Sequence, residues 1–475
     1  MNKKLDKFFK ISERGSNIKT EIIAGLTTFF AMAYIVVTNP DQVTGFMKYD
    51  PTLGSSFVSI WNAVYVASIL VAVIGTLLYA FYAKLPFAQA CGMGLNSFFF
   101  VSFIVPNMLD PLNGYRQGLC IILISGLLFL ILSVTGARSY IARSLPDCLK
   151  KAIPAGIGLF IAFIGFKNVG IIQANQYTFV QFFDFHGAVA GKAWFDAWCA
   201  IAPVVLAILG LIVIGALEKK NVKGSVIITI IGVTVLYYLS TWTLPSFDLG
   251  MIGQSFKDFG EIGFLGAFKG FSIFSGGVGA IVNAVVLVIT FCLVDMFDTI
   301  GTLYGTASQA NMLDENGDPV DIDKSMACDS VATVTGAALG TSTCTTFVES
   351  AAGVAAGART GLASLITAAC FAVCLFLTPV AAIVPACATA PALIYVGVLM
   401  LKNFAKVDMG DISAAVPAFL ALIMMPLTYS ISNGIAIGAI AYVLIKLFTG
   451  KYTKKDIIVT IIAILFTLRF FLVTM

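Results

Sequence analysis

The sequence predicts an all-α polytopic membrane protein with fourteen membrane-spanning segments in two inverted repeats of seven. Short extended segments are expected inside the third and tenth spans. Three observations lead there. First, 59% of the 475 residues are hydrophobic and 11% are charged, against roughly 25% charged in a soluble chain, so water cannot face this protein on all sides. Second, apolar runs close to the ~20 residues that cross a bilayer recur along the whole chain. Third, segments of the first half are echoed in the second. The same composition excludes disorder, a coiled coil and a nucleic-acid-binding domain, because the net charge of +4 comes from sparse, scattered residues.

Residues 1–21 are polar and basic and read as a cytoplasmic segment, not a cleavable signal peptide. Apolar runs follow near 22–38, 58–82, 86–105, 117–136, 150–168, 197–217 and 224–241. A second set lies near 277–304, 326–340, 342–358, 361–382, 387–402, 413–428 and 432–448. The stretch 456–474 is apolar but contains Arg469 and fits either a further span or an interfacial helix. With the N-terminus inside, Lys48, Arg116, Lys167, Lys192, Lys257 and Lys269 fall on the outer side. Every other Lys and Arg except Arg469 falls on the inner side, the asymmetry expected of cytoplasmic loops.

Only the loops 169–196, 242–276 and 305–325 are long. The acidic stretch Asp314–Asp323 reads as a solvated cytoplasmic loop, since it lacks the full calcium-loop spacing. The ten cysteines form no Cys-x-x-Cys pair and lie mostly in apolar runs, so they read as small packing residues. A single histidine, His186, gives a metal site or a catalytic triad nothing to build on.

The repeat is faint. Span five carries Pro154-Ala155 and ends at Lys167-Asn168; span twelve carries Pro391-Ala392 and ends at Lys402-Asn403. Seven spans per copy place the second copy upside down, a transporter device that holds substrate between the copies. The third member of each repeat is broken. Span three reads Pro86-Phe87-Ala88-Gln89-Ala90-Cys91-Gly92-Met93-Gly94-Leu95-Asn96, where a proline and two glycines argue for an extended strand and then a half-helix. Span ten reads Gly340-Thr341-Ser342-Thr343-Cys344-Thr345-Thr346-Phe347-Val348-Glu349, whose β-branched half also favours extended chain. Irregular backbone at membrane depth survives only where protein or a wet cavity satisfies it, and half-helix N-termini aim free N–H groups at the centre.

Three carboxylates stand at that depth. Asp295 and Asp298 share one face of span eight at i, i+3 spacing, and Glu349 stands at the break of span ten. Such residues face a cavity and are usually functional. No Lys or Arg lies at comparable depth. Burial disfavours the charged form of a carboxyl group, which suits a group that takes up and releases a proton. A carboxylate also matches a planar ligand with N–H donors along one edge. Asn96 adds a donor and an acceptor, and Phe29, Phe30, Phe297 and Phe347 are candidates to stack on a flat ring.

These residues carry a family resemblance over nearly the whole chain. The chain resembles the adenine/guanine/hypoxanthine permeases, the AzgA-like branch related to nucleobase–ascorbate transporters. The resemblance rests on EIIAGLTTFFAMAYI at Glu21–Ile35, Asn39-Pro40, and Gly92-Met93-Gly94-Leu95-Asn96. It continues in Asp295-Met296-Phe297-Asp298-Thr299-Ile300-Gly301-Thr302 and Thr345-Thr346-Phe347-Val348-Glu349-Ser350. It implies a core of spans one to four and eight to eleven (22–136 and 277–382). That core moves against a gate of spans five to seven and twelve to fourteen (150–241 and 387–448). It also implies carriage of purine bases with protons, and a substrate site of Asp298, Glu349, Asn96, Cys91, Gly92, Met93, Phe30, Thr346, Phe347 and Val348. Asp298, Glu349 and Asp295 are the candidates for proton coupling. At one place the chain departs from the pattern: Ala90-Cys91 stands where the family usually has Ala-Pro.

The expectation is therefore a plasma- or inner-membrane permease that imports guanine or hypoxanthine, or adenine, by proton symport. It is expected to be no enzyme, to need no cofactor beyond the proton gradient, and to bind no metal or nucleic acid. The bilayer surrounds it, and a homodimer is compatible with such a chain. An ion channel would need a continuous polar pore. An anion exchanger on the same scaffold would need a basic residue between the half-helices, and the sequence offers none there.

Overall fold

The computed structural model describes residues 2–49, 55–135, 146–222, 224–245, 247–309, 312, 319–402 and 404–472. Residues 314–318 of the acidic stretch Asp314–Asp323, the stretch from Arg138 to Arg143, Lys223, and the side chains of Phe297 and Arg469 lie outside the described residues.

The chain is helical almost throughout. An amphipathic helix α1 (Asn2–Phe9) precedes α2 (Ile18–Met32), whose start is capped by Asn17 accepting from the Thr20 N–H at 2.9 Å. Span one then breaks at Ala33-Tyr34 and resumes as α3 (Ile35–Val43). Next come α4 (Ser55–Leu78), strand β1 (Gln89–Cys91), α5 (Met93–Phe99) and α6 (Pro111–Val134). After them run α7 (Asp147–Asn168), a hairpin of β2 (Ile172–Asn175) and β3 (Phe179–Phe182), and the short α8 (Phe185–Val189). The first half ends with α9 (Trp194–Lys219) and α10 (Ser225–Thr241).

The second half begins with α11 (Gly250–Asp258), then α12 (Val278–Gln309), α13 (Ile322–Leu339), strand β4 (Cys344–Thr346) and α14 (Ser350–Ala355). It continues through α15 (Gly361–Cys374), α16 (Thr378–Ala382), α17 (Ala386–Leu401), α18 (Ile412–Leu427), α19 (Ile431–Phe448) and α20 (Ile457–Leu472).

Among the described residues, eight helical stretches are long and apolar enough to cross a membrane. They are Ile18–Val43, Ser56–Ala83, Pro111–Val134, Asp147–Asn168, Trp194–Lys219, Val278–Ile300, Ala386–Lys406 and Ile431–Phe448. The expected spans three, seven, eleven and thirteen correspond to shorter apolar helices, as does α20. The chain is thus a multi-pass helical membrane protein. Two of the long loops carry structure of their own. The 169–196 stretch folds into the β2–β3 hairpin and α8. The 242–276 stretch holds α11 and short turns packed on α4 and α6, tied by Asn62 donating to Asp258 Oδ2 at 2.7 Å.

The helices sort into two packing groups. One gathers α2–α6 and α12–α15 with β1 and β4. The other gathers α7, α9, α10 and α17–α19, where α7 lies along both α17 and α18. Contact between the groups is narrower, through α5 and α12 against α7 and through α10 against α2. Small residues let backbones close up within the first group. A Cβ on Gly353 of α14 would stand 2.9 Å from the Ala24 carbonyl of α2, so only glycine allows that approach. α20 packs on α19 and also reaches α12; a reciprocal cap between Thr453 and Asp456 fixes its start.

The break in each half is the feature that positions the site. β1 and β4 pair antiparallel, with Gln89 opposite Thr346, Ala90 opposite Thr345 and Cys91 opposite Cys344. Gly92 N–H donates to Thr343 O at 2.9 Å, and Phe347 N–H to Ala88 O at 3.0 Å. A two-stranded sheet leaves both outer edges unpaired, which hydrocarbon does not tolerate. Side chains close them. The Thr76 hydroxyl of α4 accepts from Gln89 N–H at 3.0 Å and lies 3.3 Å from its carbonyl. On the opposite edge, Thr333 of α13 accepts from Cys344 N–H at 3.1 Å and lies 3.0 Å from its carbonyl. The turn into β4 begins at Gly340, whose φ of +104° favours glycine.

Candidate functional site

Each strand hands over to a short helix, and both helices start beside the sheet. Gly92 caps α5 and Glu349 caps α14. The expected half-helices are therefore present, the first beginning one residue before Gly94.

The sequence-predicted residues divide into two half-buried carboxylates with unfilled acceptor capacity and a remainder held mostly by other contacts. Asp298 of α12 is half-buried and has no hydrogen bond among the described residues. A Cβ built on Gly92 would stand 3.8 Å from its Oδ2, so the carboxylate hangs beside the start of α5, where free N–H groups and the helix dipole favour negative charge. Glu349 is also half-buried and receives the Tyr34 hydroxyl on Oε1 at 2.6 Å. The two carboxylates are close enough for their charges to interact. Tyr395 of α17 faces Glu349 from the second packing group and reaches Glu218 at the end of α9.

The other candidates are turned elsewhere. Asn96 is fully buried and donates to Asn39 and, at 3.5 Å, to Gln42 Oε1. Met93 is buried, with its sulfur 3.8 Å from the Thr38 hydroxyl. Cys91 lies 3.2 Å from Thr341 Oγ1. Phe347 is buried beside the sheet, while Val348 is 40% exposed. Phe30 is half-exposed and sits edge-on to Phe29 at 5.5 Å. Asp295 is buried, with Oδ2 accepting from the Thr333 hydroxyl at 2.8 Å and Oδ1 without a partner among the described residues.

Sequence reasoning missed a fourth carboxylate. Asp329 of α13 is fully buried and gathers five donor groups. Thr346 N–H reaches it at 2.9 Å, the hydroxyls of Thr346, Thr299 and Tyr79 at 2.9, 2.8 and 3.2 Å, and the Gln89 amide completes the set. It thereby ties β4, β1 and α12 together next to Asp298. The signal was present as an aspartate inside the run Met326–Gly340. Tyr34 was missed as well, because nothing in EIIAGLTTFFAMAYI announces that span one breaks there.

A multi-pass helical membrane protein whose two broken segments meet around open carboxylates belongs to the transporter class. Residues 19–437 match the Permease family model, Xan_ur_permease. The guanine/hypoxanthine permease PbuG of Bacillus subtilis is 37% identical, covering 98% of each chain. The adenine permease AdeQ of Escherichia coli is 34% identical over 99% of this chain and 96% of its own. The chain belongs to this permease family. Among solved structures, the transmembrane domain of a cyanobacterium bicarbonate transporter, BicA, aligns with a TM-score of 0.59 at 16% identity, over 87% of this chain and 96% of that one. SLC26A9 aligns at 0.55 with 11% identity over 91% and 66%. These two likenesses concern the fold alone.

Proposed function

We propose that this protein imports neutral purine nucleobases, guanine or hypoxanthine foremost, by proton symport. One observation carries the reading: two open carboxylates, Asp298 and Glu349, stand at the starts of two half-helices with no hydrogen-bonded basic partner among the described residues. Acceptors so placed suit a flat, uncharged ligand that offers N–H groups, and they repel an anion. Relatives named as guanine/hypoxanthine and adenine permeases support the same substrate class.

In this reading Glu349 accepts from the base, and Asp298 holds its other side or carries the coupling proton. Asp295, tied to Thr333, is the third candidate for that proton. Asn96, Met93, Gly92 and Cys91 shape the wall from span three, and Thr346, Phe347 and Val348 the wall from span ten. The fourteen spans form two inverted repeats, with an internal N-terminus. The first packing group is the core, and it moves against the second, the gate, so that the site opens to one side at a time. The narrow contact between the groups supports this division, and the matched edge closures by Thr76 and Thr333 support the repeat.

The test is uptake of labelled hypoxanthine by cells lacking their own purine permeases, with and without a protonophore, beside Glu349→Gln. Saturable uptake lost with the protonophore and in the variant is the expected result. Uptake indifferent to the protonophore removes the proton from the mechanism, and uptake indifferent to the variant removes Glu349 from the site.

A further inference from the structure

We infer that Tyr34 is a specificity-determining positioning residue: by donating to Glu349 Oε1 it limits the second N–H that the carboxylate can accept from a bound purine. The inference rests on Glu349 being the base-binding carboxylate, as proposed above.

Tyr34 sits where span one breaks between α2 and α3, and it is fully buried. The stretch after the break presents one polar stripe toward the two half-helices. Tyr34 donates to Glu349, Thr38 contacts Met93, and Asn39 and Gln42 accept from Asn96. Positions 34, 38 and 42 recur at i, i+4 and share a helix face. Span one thus orients residues of both broken segments without belonging to either. Its tie to Glu349 is the only one of these made to a carboxylate, and at 2.6 Å it is a short charge-assisted bond.

The consequence lies in the geometry of acceptors. A free carboxylate accepts two parallel N–H groups, one on each oxygen. Guanine offers such a pair on one edge, the ring N1–H and the exocyclic amine; hypoxanthine offers the ring N1–H alone. With Oε1 already accepting from Tyr34, Oε2 serves one N–H at full strength, while a second N–H must share Oε1 with the hydroxyl and makes a weaker bond there. The site then gains little from the exocyclic amine and treats the two bases nearly alike. The hydroxyl also holds the carboxylate's plane, so hypoxanthine meets Oε2 already aligned.

The experiment is equilibrium binding of guanine and of hypoxanthine to the purified full-length protein, for wild type, Tyr34→Phe and Glu349→Gln. In the wild type the two dissociation constants are expected within about threefold. In Tyr34→Phe the preference for guanine over hypoxanthine is expected to rise by about tenfold, the size of one charge-assisted hydrogen bond. A structural role for Tyr34 would weaken both bases together and leave their ratio unmoved. An unchanged ratio in the variant overturns the inference, and so does a wild-type preference for guanine beyond about tenfold, which needs no variant to fold. If Glu349→Gln binds both bases like the wild type, the site assignment itself fails. If that variant loses binding while the Tyr34→Phe ratio stays fixed, only the role of Tyr34 fails.

Discussion

The carboxylates around the small sheet fall into two sets treated in opposite ways, a rear cluster at Asp329 on the β4 edge and a front pair, Asp298 and Glu349, at the half-helix starts. Along the edge of β4, Asp329 is sealed from solvent and accepts from five donors on four segments, β4, β1, α12 and the turn after α4 that holds Tyr79. At the half-helix starts, Asp298 has no hydrogen bond among the described residues and Glu349 has the hydroxyl of Tyr34. A buried polar group left unpaired costs about 1–3 kcal/mol, so the rear cluster is explained by the fold's own needs. The front pair is not, and it keeps acceptor capacity that a ligand can use. Burial alone therefore does not mark the site; unfilled hydrogen-bonding capacity beside half-helix starts does.

The contrast breaks first at Asp329. Asp329→Ala strands the Thr346 N–H and the Gln89, Thr299 and Tyr79 donors, and should remove about 3 kcal/mol or more of stability. A large drop in the melting temperature of the purified protein is the check, and an unchanged melt would show that the rear cluster holds nothing together. Asp298→Asn should do the reverse. Hypoxanthine uptake is expected to fall about tenfold or more, the loss of one charge-assisted contact, while the melt stays close to wild type. If instead the melt falls and binding persists, the front carboxylate is structural.

Smaller effects sharpen the symmetry of the two halves. Thr76→Val and Thr333→Val each unpair one outer edge of the sheet and should each cost about 1–3 kcal/mol. Melting temperatures that move together mean that the two edges are equivalent; a silent Thr76→Val would show that only the β4 edge needs closing. Phe30→Ala should matter least, within about threefold in uptake, because its ring is half-exposed and packs edge-on to Phe29.

Much of this architecture was legible in the sequence, and the part that was not has a physical cause. Glycines and β-branched residues around Cys91–Gly94 and Thr341–Thr346 give a local reason for chain breaks, so the two half-helices could be read directly. Asp298 and Glu349 stood out as charges in apolar runs. Asp329 was equally visible as a residue, but its role depends on Gln89, Thr299 and Thr346, which come from distant stretches and meet only in the fold. Asn96 shows the converse: its amide suits a ligand, and a tertiary partner, Asn39, claims it. The break at Tyr34 carries no glycine, and its proline, Pro40, lies beyond it, so periodicity alone reads span one as continuous.

The pairing of β1 with β4 also reaches into the making of the protein. Gln89–Cys91 leaves the ribosome long before Cys344–Thr346 is synthesised. Until then the first strand waits in or beside the bilayer with one edge served by Thr76 and the other by nothing from its own half. Contacts so distant in sequence form late, and an unsatisfied strand is not stable in hydrocarbon. The nascent first half is thus an unfinished object that the insertion machinery must shelter, and the halves expressed as separate chains should become protease-resistant only when they are produced together.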